Sequence, residues 1–168
     1  MRAIGASNFS AERLQEALDI SARDGLPRYE TMQPEYNLYD RGSFEGALET
    51  VCRENGVGVI NYYSLAAGFL SGKYRSEADL GKSKRGSRSI PKYMNPRGMS
   101  ILAALDAVAA ETGTEVATVA LAWLMAKPAV TAPIASATTT AQIDALLAAV
   151  ELTLTPGQVA RLDEASVA

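Results

Sequence analysis

Residues 2–25, RAIGASNFSAERLQEALDISARDG, carry the pattern that decides the fold. The charged Arg2 precedes a short apolar run from Ala3 to Ala6, which is typical of a buried strand. Ser10 is a residue type that caps the start of a helix, and Gly25 is a type that ends one. Between them an apolar face recurs at the helical spacing i, i+3, i+4, i+7 and consists of Leu14, Ala17, Leu18 and Ser21. The stretch therefore predicts a strand, a turn, a helix and a terminating glycine in succession.

The same succession returns further along the chain. Residues Glu30 to Gln33 predict a second strand, and Val57 to Asn61 (VGVIN) predict a third, which is apolar enough to be covered on both faces. Ser43 is the expected cap of the helix between them, Gly56 its expected end, and its apolar side consists of Phe44, Leu48, Val51 and Cys52. A repeat of roughly 25 to 30 residues is the size of a βαβ unit. Such units build parallel sheets, either doubly wound or closed as a (β/α)8 barrel.

The character of the chain changes after the third strand. Residues 71–98 are polar and punctuated by glycine and proline, with a basic centre of Lys82, Lys84, Arg85 and Arg88. A connection of this length in a compact domain is usually functional or disordered. Helical faces follow at Ile101, Leu105 and Val108, then at Val119, Ala120, Trp123 and Leu124, which Pro128 ends, and then at Ile143, Leu146, Leu147 and Val150. The last helix begins at Thr155, with Pro156 at its first position and Gln158 completing a capping box.

Composition excludes several classes of protein. The 168 residues are 48% apolar and 21% charged, which is the balance of one ordinary globular domain. The net charge of −3 gives no reason to expect a nucleic-acid partner, and no apolar run approaches the roughly 18 residues that span a bilayer. Cys52 is the single cysteine, which excludes an internal disulfide and favours a reducing, cytoplasmic location. The chain has no histidine, so histidine metal sites and Ser-His-Asp triads are excluded, and no metal site is predicted.

Four stretches carry a resemblance to a known family. They are IGASNFS (4–10), MQPEYNLYDR (32–41), GVGVINYYSLAAGFLSGKY (56–74) and VTAPIASATTTAQIDAL (130–146). Together and in this order they resemble the larger bacterial branch of the aldo-keto reductase family. The resemblance implies an α/β fold in which residues 1–168 form a partial (β/α)8 TIM barrel: the last three βα units, from the sixth strand onward, and the C-terminal helices. A complete barrel takes about 250 residues, so we expect the C-terminal half of such an enzyme.

The resemblance implies an NADP-dependent oxidoreductase that transfers a hydride between a nicotinamide cofactor and a carbonyl or alcohol substrate. The catalytic Asp, Tyr, Lys and His of the family lie on the first five βα units, which have no counterpart here. The seven tyrosines match other positions of the family: Tyr29, Tyr36, Tyr39, Tyr62, Tyr63, Tyr74 and Tyr93. No catalytic residue is therefore assigned, and the chain alone is predicted to be inactive on a small carbonyl substrate unless the missing half is supplied.

Cofactor-binding positions of the family do have counterparts. The resemblance implies that Ser7, Asn8 and Gln33 hydrogen-bond the nicotinamide carboxamide. Taken alone, Ser7-Asn8 are more typical of a turn with a helix cap, and Gln33 of a strand-end amide. Tyr62 matches the aromatic residue that stacks on the nicotinamide. Tyr63 stands where the family usually has a small residue and remains an alternative to Tyr62, and two tyrosines ending a strand are also typical of barrel-edge packing.

The nucleotide's other parts are also matched. The resemblance assigns a pyrophosphate-binding loop to Ser64, Leu65, Gly68, Leu70 and Lys73, and contacts with the adenosine phosphate and adenine to Thr138 and Gln142. On its own, Lys73 fits a solvated loop. A Glu-Asn pair that is common in the family is replaced by Ala145-Leu146, and no Lys or Arg lies between Lys127 and Arg161. NADP is therefore expected from the family alone, with NAD as the alternative.

A second hypothesis is a non-catalytic half-barrel, either a remnant or an interaction module, with weak or no nucleotide binding. A partial barrel of three strands would have open edges at Ile4 and at Val59-Ile60, and its inner face would expose a contiguous apolar patch. Unpaired strands and apolar patches favour association. We therefore expect self-association or pairing with a complementary half.

Overall fold

The computed structural model describes residues 2–82 and 86–167 and places a parallel sheet at their centre. The strands are β1 (Ile4–Ser7), β2 (Tyr29–Gln33) and β3 (Gly58–Val59), in the order β1-β2-β3. Gly5 pairs with Thr31, and Met32 pairs with Val59, both in parallel register. The predicted parallel α/β arrangement of three strands is confirmed.

Helices follow and cover the strands. Their bounds are α1 (Ala11–Asp24), α2 (Ala47–Glu54), α3 (Gly86–Ser89), α4 (Pro96–Thr112), α5 (Val116–Met125), α6 (Thr140–Glu151) and α7 (Pro156–Ser166). The polar segment 71–98 also carries 3₁₀ turns at Glu77–Lys82 and Pro91–Tyr93; its basic residues Lys84 and Arg85 lie outside the described residues. No helix within the described ranges has the length and apolarity needed to cross a membrane.

Local capping chemistry explains where two helices begin and end. The Ser10 hydroxyl accepts a hydrogen bond from the Arg13 amide at 3.2 Å, and Gly25 ends α1 in the left-handed conformation with φ 66°. Thr155 and Gln158 form the reciprocal capping box at the start of α7. These side chains satisfy backbone groups that a helix end would otherwise leave unpaired, and the predictions for α1 and α7 are confirmed.

The predicted cap of the second helix is wrong. The Ser43 hydroxyl donates to the carbonyl of Glu35 at 3.1 Å instead of accepting from α2. The helix begins only after Gly46, whose φ of 94° turns the chain away from a helical path. Phe44 is therefore buried in the preceding turn rather than on the helix, because a positive φ at glycine interrupts what the apolar spacing alone suggests.

A fourth extended segment joins the sheet beside β3. Val130 pairs with Val59 in parallel, and the amides of Thr131 and Ala132 donate to the Val59 carbonyl at 2.8 and 3.3 Å. The Ile134 amide donates to the Asn61 carbonyl at 2.9 Å. The prediction of an open edge at Val59-Ile60 is therefore wrong, because residues 130–134 pair along it. The sequence predicts no strand pairing for these residues and places them only in the stretch 130–146 that carries the family resemblance.

The two faces of the sheet differ in composition. We call the side formed by Ala6, Met32 and Val59 the covered face; these residues are 4%, 0% and 0% exposed and belong to one apolar core with the helices. We call the side formed by Gly5, Thr31 and Gly58 the open face; Gly5 is exposed and the others are partly exposed. Ser7 and Gln33 continue the open face at the strand ends. The predicted contiguous apolar patch is wrong, since these positions carry small or polar residues.

Exposed apolar side chains lie instead on α6. Ile143, Leu147 and Val150 are 48%, 62% and 70% exposed, and we call them the α6 stripe. The opposite side of α6 packs on α5. Ala149 of α6 is buried there, and the hydroxyl of Thr118 on α5 donates to the Ala145 carbonyl at 2.9 Å. Of the predicted apolar face, Leu146 is partly buried and packs against the core together with the buried Ala149, whereas the other three residues are exposed.

A polar cluster attaches α7 to the loop after β2. Arg41 pairs with Asp163 at 3.0 Å and with Glu45 at 2.8 Å. Lys127 and the Trp123 indole both bond to Asp163 as well, at 2.7 and 3.1 Å. Through these contacts the C-terminal helix is attached to Arg41 in the loop after β2 and to Trp123 and Lys127 near the end of α5.

Candidate functional site

The carboxyl ends of β1 and β2 bring three predicted residues together. The Ser7 hydroxyl donates to the Gln33 carbonyl at 3.1 Å, and the Asn8 amide donates to the same oxygen at 3.3 Å. Asn8 adopts φ 56°, a left-handed conformation that asparagine tolerates better than most residues. Gln33 is exposed, and among the described residues its side-chain amide has no hydrogen-bond partner. An amide and a hydroxyl are therefore presented side by side at the ends of two neighbouring strands.

Tyr62 reaches the same place from the end of β3. Its hydroxyl donates to Asn8 Oδ1 at 3.0 Å, and its backbone amide donates to the Pro34 carbonyl at 3.0 Å. Burial, followed by the nearby charge of Glu35, raises the pKa of the Tyr62 hydroxyl above its usual value. The ring is thus fixed at both ends, beside a cavity of about 340 Å³ that Asn8, Glu35 and Tyr62 help to line.

Tyr63, the alternative to Tyr62, lies next to it and points its ring to solvent. The two ring centroids are 5.4 Å apart with planes at 59°. Tyr63 is 48% exposed and adopts φ 53°. The structure therefore keeps both tyrosines at the site, in different environments.

Ser64 is buried and its hydroxyl is already engaged. It donates to the Ile134 carbonyl at 2.7 Å and accepts from Asn61 Nδ2 at 3.1 Å. Asn61, which is fully buried, also donates to the Tyr36 carbonyl at 2.7 Å. The Ser64 side chain therefore joins the loop after β3 to segment 130–134, and what this residue can offer a ligand is its backbone.

The loop after Ser64 brings Gly68 and Lys73 together. Ala66, Ala67 and Gly68 have positive φ values of 48°, 57° and 95°, and a Cβ atom built on Gly68 would lie 3.3 Å from Cε and Nζ of Lys73. Leu70 is buried and Leu65 is partly buried, so these leucines anchor the loop. Lys73 is exposed, and a flexible ammonium above a glycine backbone suits an anionic group.

Thr138 and Gln142 also lie together, at the start of α6. The Thr138 amide and hydroxyl both donate to Gln142 Oε1, at 2.8 and 3.2 Å. Thr139 caps the helix by accepting from the Gln142 amide at 3.3 Å. Both predicted residues are exposed, and residues 128–160, which include them, contain no Lys or Arg.

Sequence reasoning missed Glu35 as a functional candidate. Its carboxylate lines the 340 Å³ cavity and a second cavity of about 540 Å³. Burial, and then the charge of Asp40, raise the pKa of the Glu35 carboxyl, while Lys92 at 3.7 Å opposes that rise. A signal was available, because the turn-forming stretch that follows β2 positions this acidic residue directly at a strand end.

Asn37 is the second residue that was missed. It is fully buried; its Oδ1 accepts from the Tyr39 and Asp40 amides at 2.8 and 2.9 Å. Its Nδ2 donates to the Tyr63 carbonyl at 3.1 Å. The Asx-turn chemistry of asparagine before a turn could have indicated the first contact, whereas the second depends on the tertiary fold.

The predicted residues thus form three groups: an amide-hydroxyl-aromatic group at the strand ends, a glycine-lysine loop, and a threonine-glutamine pair. Hydroxyl, amide and aromatic side chains suit a planar amide-bearing ring. Among the described residues, no cluster of three or more His, Cys, Asp or Glu side chains could hold a metal ion. The donors at the site therefore favour an organic, partly anionic ligand.

Comparison with known proteins identifies similar chains. A family model, described as the Aldo/keto reductase family, matches residues 1–167. The chain is 29% identical over 167 residues to the L-glyceraldehyde 3-phosphate reductase of Escherichia coli (strain K12), covering 96% of this chain and 48% of that protein.

Two further relatives come from other kingdoms. The chain is 30% identical to a probable voltage-gated potassium channel subunit beta of Arabidopsis thaliana, over 88% of this chain and 46% of the relative. It is 29% identical to the versiconal hemiacetal acetate reductase of Aspergillus parasiticus, over 97% and 48%. The chain spans about half the length of the curated relatives it matches.

Proposed function

Because this chain belongs to the aldo/keto reductase family, we propose that it carries the cofactor-binding part of an NADP-dependent oxidoreductase. Nicotinamide cofactors are general in the family. The observation that carries the proposal is the convergence of Ser7, Asn8, Gln33 and Tyr62 at the carboxyl ends of three parallel strands, which is where parallel α/β folds bind their ligands.

The strand-end group fits a nicotinamide. In this proposal the Gln33 amide, Ser7 and the Asn8 side chain hold the carboxamide, and the Tyr62 ring lies against the nicotinamide ring. A bound nicotinamide supplies a hydride; the protein's part here is to orient the ring and fix its face. The hydrogen bond from Tyr62 to Asn8 supports this role, because a ring whose position is fixed before binding loses less freedom on binding.

The loop and the α6 pair fit the rest of the nucleotide. We assign the pyrophosphate to Lys73 and to the backbone at Ser64, Leu65, Gly68 and Leu70, and the adenosine end to Thr138 and Gln142. The positive φ at Gly68 supports close backbone approach to an anion, and the proximity of Lys73 supports charge neutralisation. We assign no catalytic residue to this chain, and we propose that it reduces no carbonyl substrate by itself.

A complementary chain segment would supply the catalytic residues. The relatives are about twice as long as this chain. The α6 stripe lies on the helix that follows segment 130–134, and each added parallel strand brings a helix that packs beside the last one. The stripe therefore supports pairing with a strand-helix unit of a complementary half. We also propose a cytoplasmic location, which the single, buried Cys52 supports.

Titration with NADPH tests the cofactor proposal. We expect Tyr62→Ala to weaken NADPH binding about 10-fold, the size of a lost aromatic contact. Tyr62→Phe, which keeps the ring and removes the hydroxyl, should remain within about 3-fold of the parent chain. Equal affinity of the parent chain and Tyr62→Ala would place the nucleotide elsewhere.

The second candidate function is a non-catalytic interaction module. The α6 stripe favours it, because exposed apolar groups on one helix face are typical of an interface. One measurement, an NADPH titration of the parent chain, distinguishes the two candidate functions. A chain that associates through α6 but gives no NADPH isotherm would support the module, and a saturable isotherm would support the cofactor-binding half.

A further inference from the structure

Tyr63 holds a backbone conformation that its residue type disfavours. Its φ is 53°, and the left-handed region is sterically unfavourable for a bulky residue. The other residues with positive φ at the site are asparagine, alanine and glycine. Burial does not compensate Tyr63, because its side chain is 48% exposed. Such a conformation persists only where the surroundings impose it.

The surroundings do impose it. Asn37, which is fully buried, donates from Nδ2 to the Tyr63 carbonyl at 3.1 Å, and the Ala66 amide donates to the same oxygen at 2.7 Å. On the other side, the Tyr62 backbone is held by hydrogen bonds with Pro34 and Tyr36. The buried Asn37 amide thus stabilises a turn that holds Tyr63 beside Tyr62 with its side chain 48% exposed.

The two rings form an open aromatic pair. Their centroids lie 5.4 Å apart with planes inclined at 59°, so the two rings are tilted towards each other rather than stacked. Edge-to-face contact is a favourable arrangement for aromatic groups. The hydrogen bond from Tyr62 to Asn8 fixes the first ring, and the strained backbone fixes the position from which the second one projects.

We propose that Tyr63 is a second aromatic contact for the nicotinamide ring, and that its strained backbone serves this contact. The inference rests on the proposed function. Tyr62 supplies the face against which the ring lies, and Tyr63 bounds the ring at its edge. The position is a binding position: Tyr63 takes no part in proton transfer.

Two variants separate the ring from the backbone. Tyr63→Asn removes the ring and keeps a residue type that tolerates the left-handed region; Tyr63→Phe keeps the ring and removes the hydroxyl. The probe is reduced nicotinamide mononucleotide, which lacks the adenosine end, so that contacts at α6 do not contribute. We expect Tyr63→Asn to bind it about 3- to 10-fold more weakly, and Tyr63→Phe to bind within about 2-fold of the parent chain.

A thermal midpoint measured on each variant excludes a merely structural role. Tyr63→Asn should melt no lower than the parent chain, because the backbone strain is relieved while binding is lost. Leu26→Gln changes an exposed apolar side chain at the other end of the strands. It should not alter the affinity for reduced nicotinamide mononucleotide. An unchanged affinity in Tyr63→Asn, or a weaker affinity that appears together with a lower midpoint, would overturn the inference.

The outcome also distinguishes this inference from the function on which it rests. If Tyr62→Ala weakens binding and Tyr63→Asn does not, the cofactor proposal stands and the role of Tyr63 is wrong. If the parent chain gives no isotherm with either nucleotide, both are overturned.

Discussion

The covered and open faces of one sheet are built by neighbouring residues under opposite constraints. On the covered face Met32 is fully buried between Ala6 and Val59. One residue earlier, Thr31 lies on the open face between two glycines, and a Cβ atom on Gly5 would overlap its hydroxyl. The covered face stabilises the fold by burying apolar side chains. The open face requires a glycine at position 5, because a larger side chain there would overlap the Thr31 hydroxyl.

This difference bears on the proposed cofactor site. Alternation of side chains along a strand puts Ser7 and Gln33 on the open face, where a ligand can reach them, while the covered face holds the strands against the helices. Stability and ligand contact therefore draw on different residues of the same strands. Substitutions on the covered face should change the free energy of unfolding, and substitutions at the open strand ends should change binding.

The largest expected effect is on the covered face. Met32→Ala should lower the free energy of unfolding by about 2 to 5 kcal/mol, because it removes a fully buried side chain and leaves a cavity. Thr31→Ala, one residue away on the open face, should cost less than about 1 kcal/mol. Urea unfolding followed by circular dichroism measures both. Similar losses in the two variants would show that the two faces contribute equally to the free energy of unfolding.

The next effect tests the close spacing of the open face. Gly5→Ala should destabilise the chain by about 1 to 3 kcal/mol, since the added methyl group meets the Thr31 hydroxyl. In Gly5→Ala/Thr31→Ala the overlap is removed, so most of the loss should be recovered. A double-mutant cycle from urea unfolding gives the coupling between the two positions. Additive losses would mean that Thr31 does not limit the space at Gly5.

The sequence predicts the covered face well because burial leaves a periodic signal. Ser10, Gly25 and the Thr155–Gln158 box mark helix ends by local chemistry, and Leu14 and Leu18 mark the buried side of α1 by spacing. These features need only a few neighbouring residues to be recognised. The strand-end residues Ser7, Asn8 and Gln33, in contrast, are predicted as cofactor-binding residues only through the family resemblance.

What the sequence did not predict depends on tertiary contacts or on backbone angles. The pairing of 130–134 with β3 joins residues some 70 positions apart, and no local pattern reports it. Gly46 displaces the start of α2 from Ser43 through a positive φ. The small residues of the open face are dictated by neighbours across the sheet, as Gly5 and Thr31 illustrate.

A smaller effect concerns the choice of nucleotide. Residues 128–160, which include α6, contain no Lys or Arg, so this segment offers no guanidinium that could bind a 2′-phosphate through two hydrogen bonds. We expect the affinities for NADPH and NADH to differ by less than about 10-fold. Ala141→Arg, at an exposed position next to Gln142 at the start of α6, should raise the preference for NADPH, and Leu26→Arg, remote from the site, should not. A strong preference in the parent chain would require a cation outside α6.

The smallest effect is a pH dependence of the free energy of unfolding. It arises at Glu35, two residues after the end of β2. Burial and the charge of Asp40 raise the pKa of the Glu35 carboxyl above its ordinary 4.5, against the opposing charge of Lys92. The folded state therefore holds this proton more tightly than the unfolded state does. The resulting stabilisation is fully present below pH 4.5 and is lost as the pH rises through the raised pKa.

Glu35→Gln cannot ionise, so it should gain stability relative to the parent chain between pH 4 and 7. Urea midpoints across that range measure the difference. Asp106→Asn, at an exposed ion pair with Arg75, is the control and should show no such gain. A parent chain that gains stability relative to Glu35→Gln as the pH rises would reverse the sign and show that Lys92 outweighs burial.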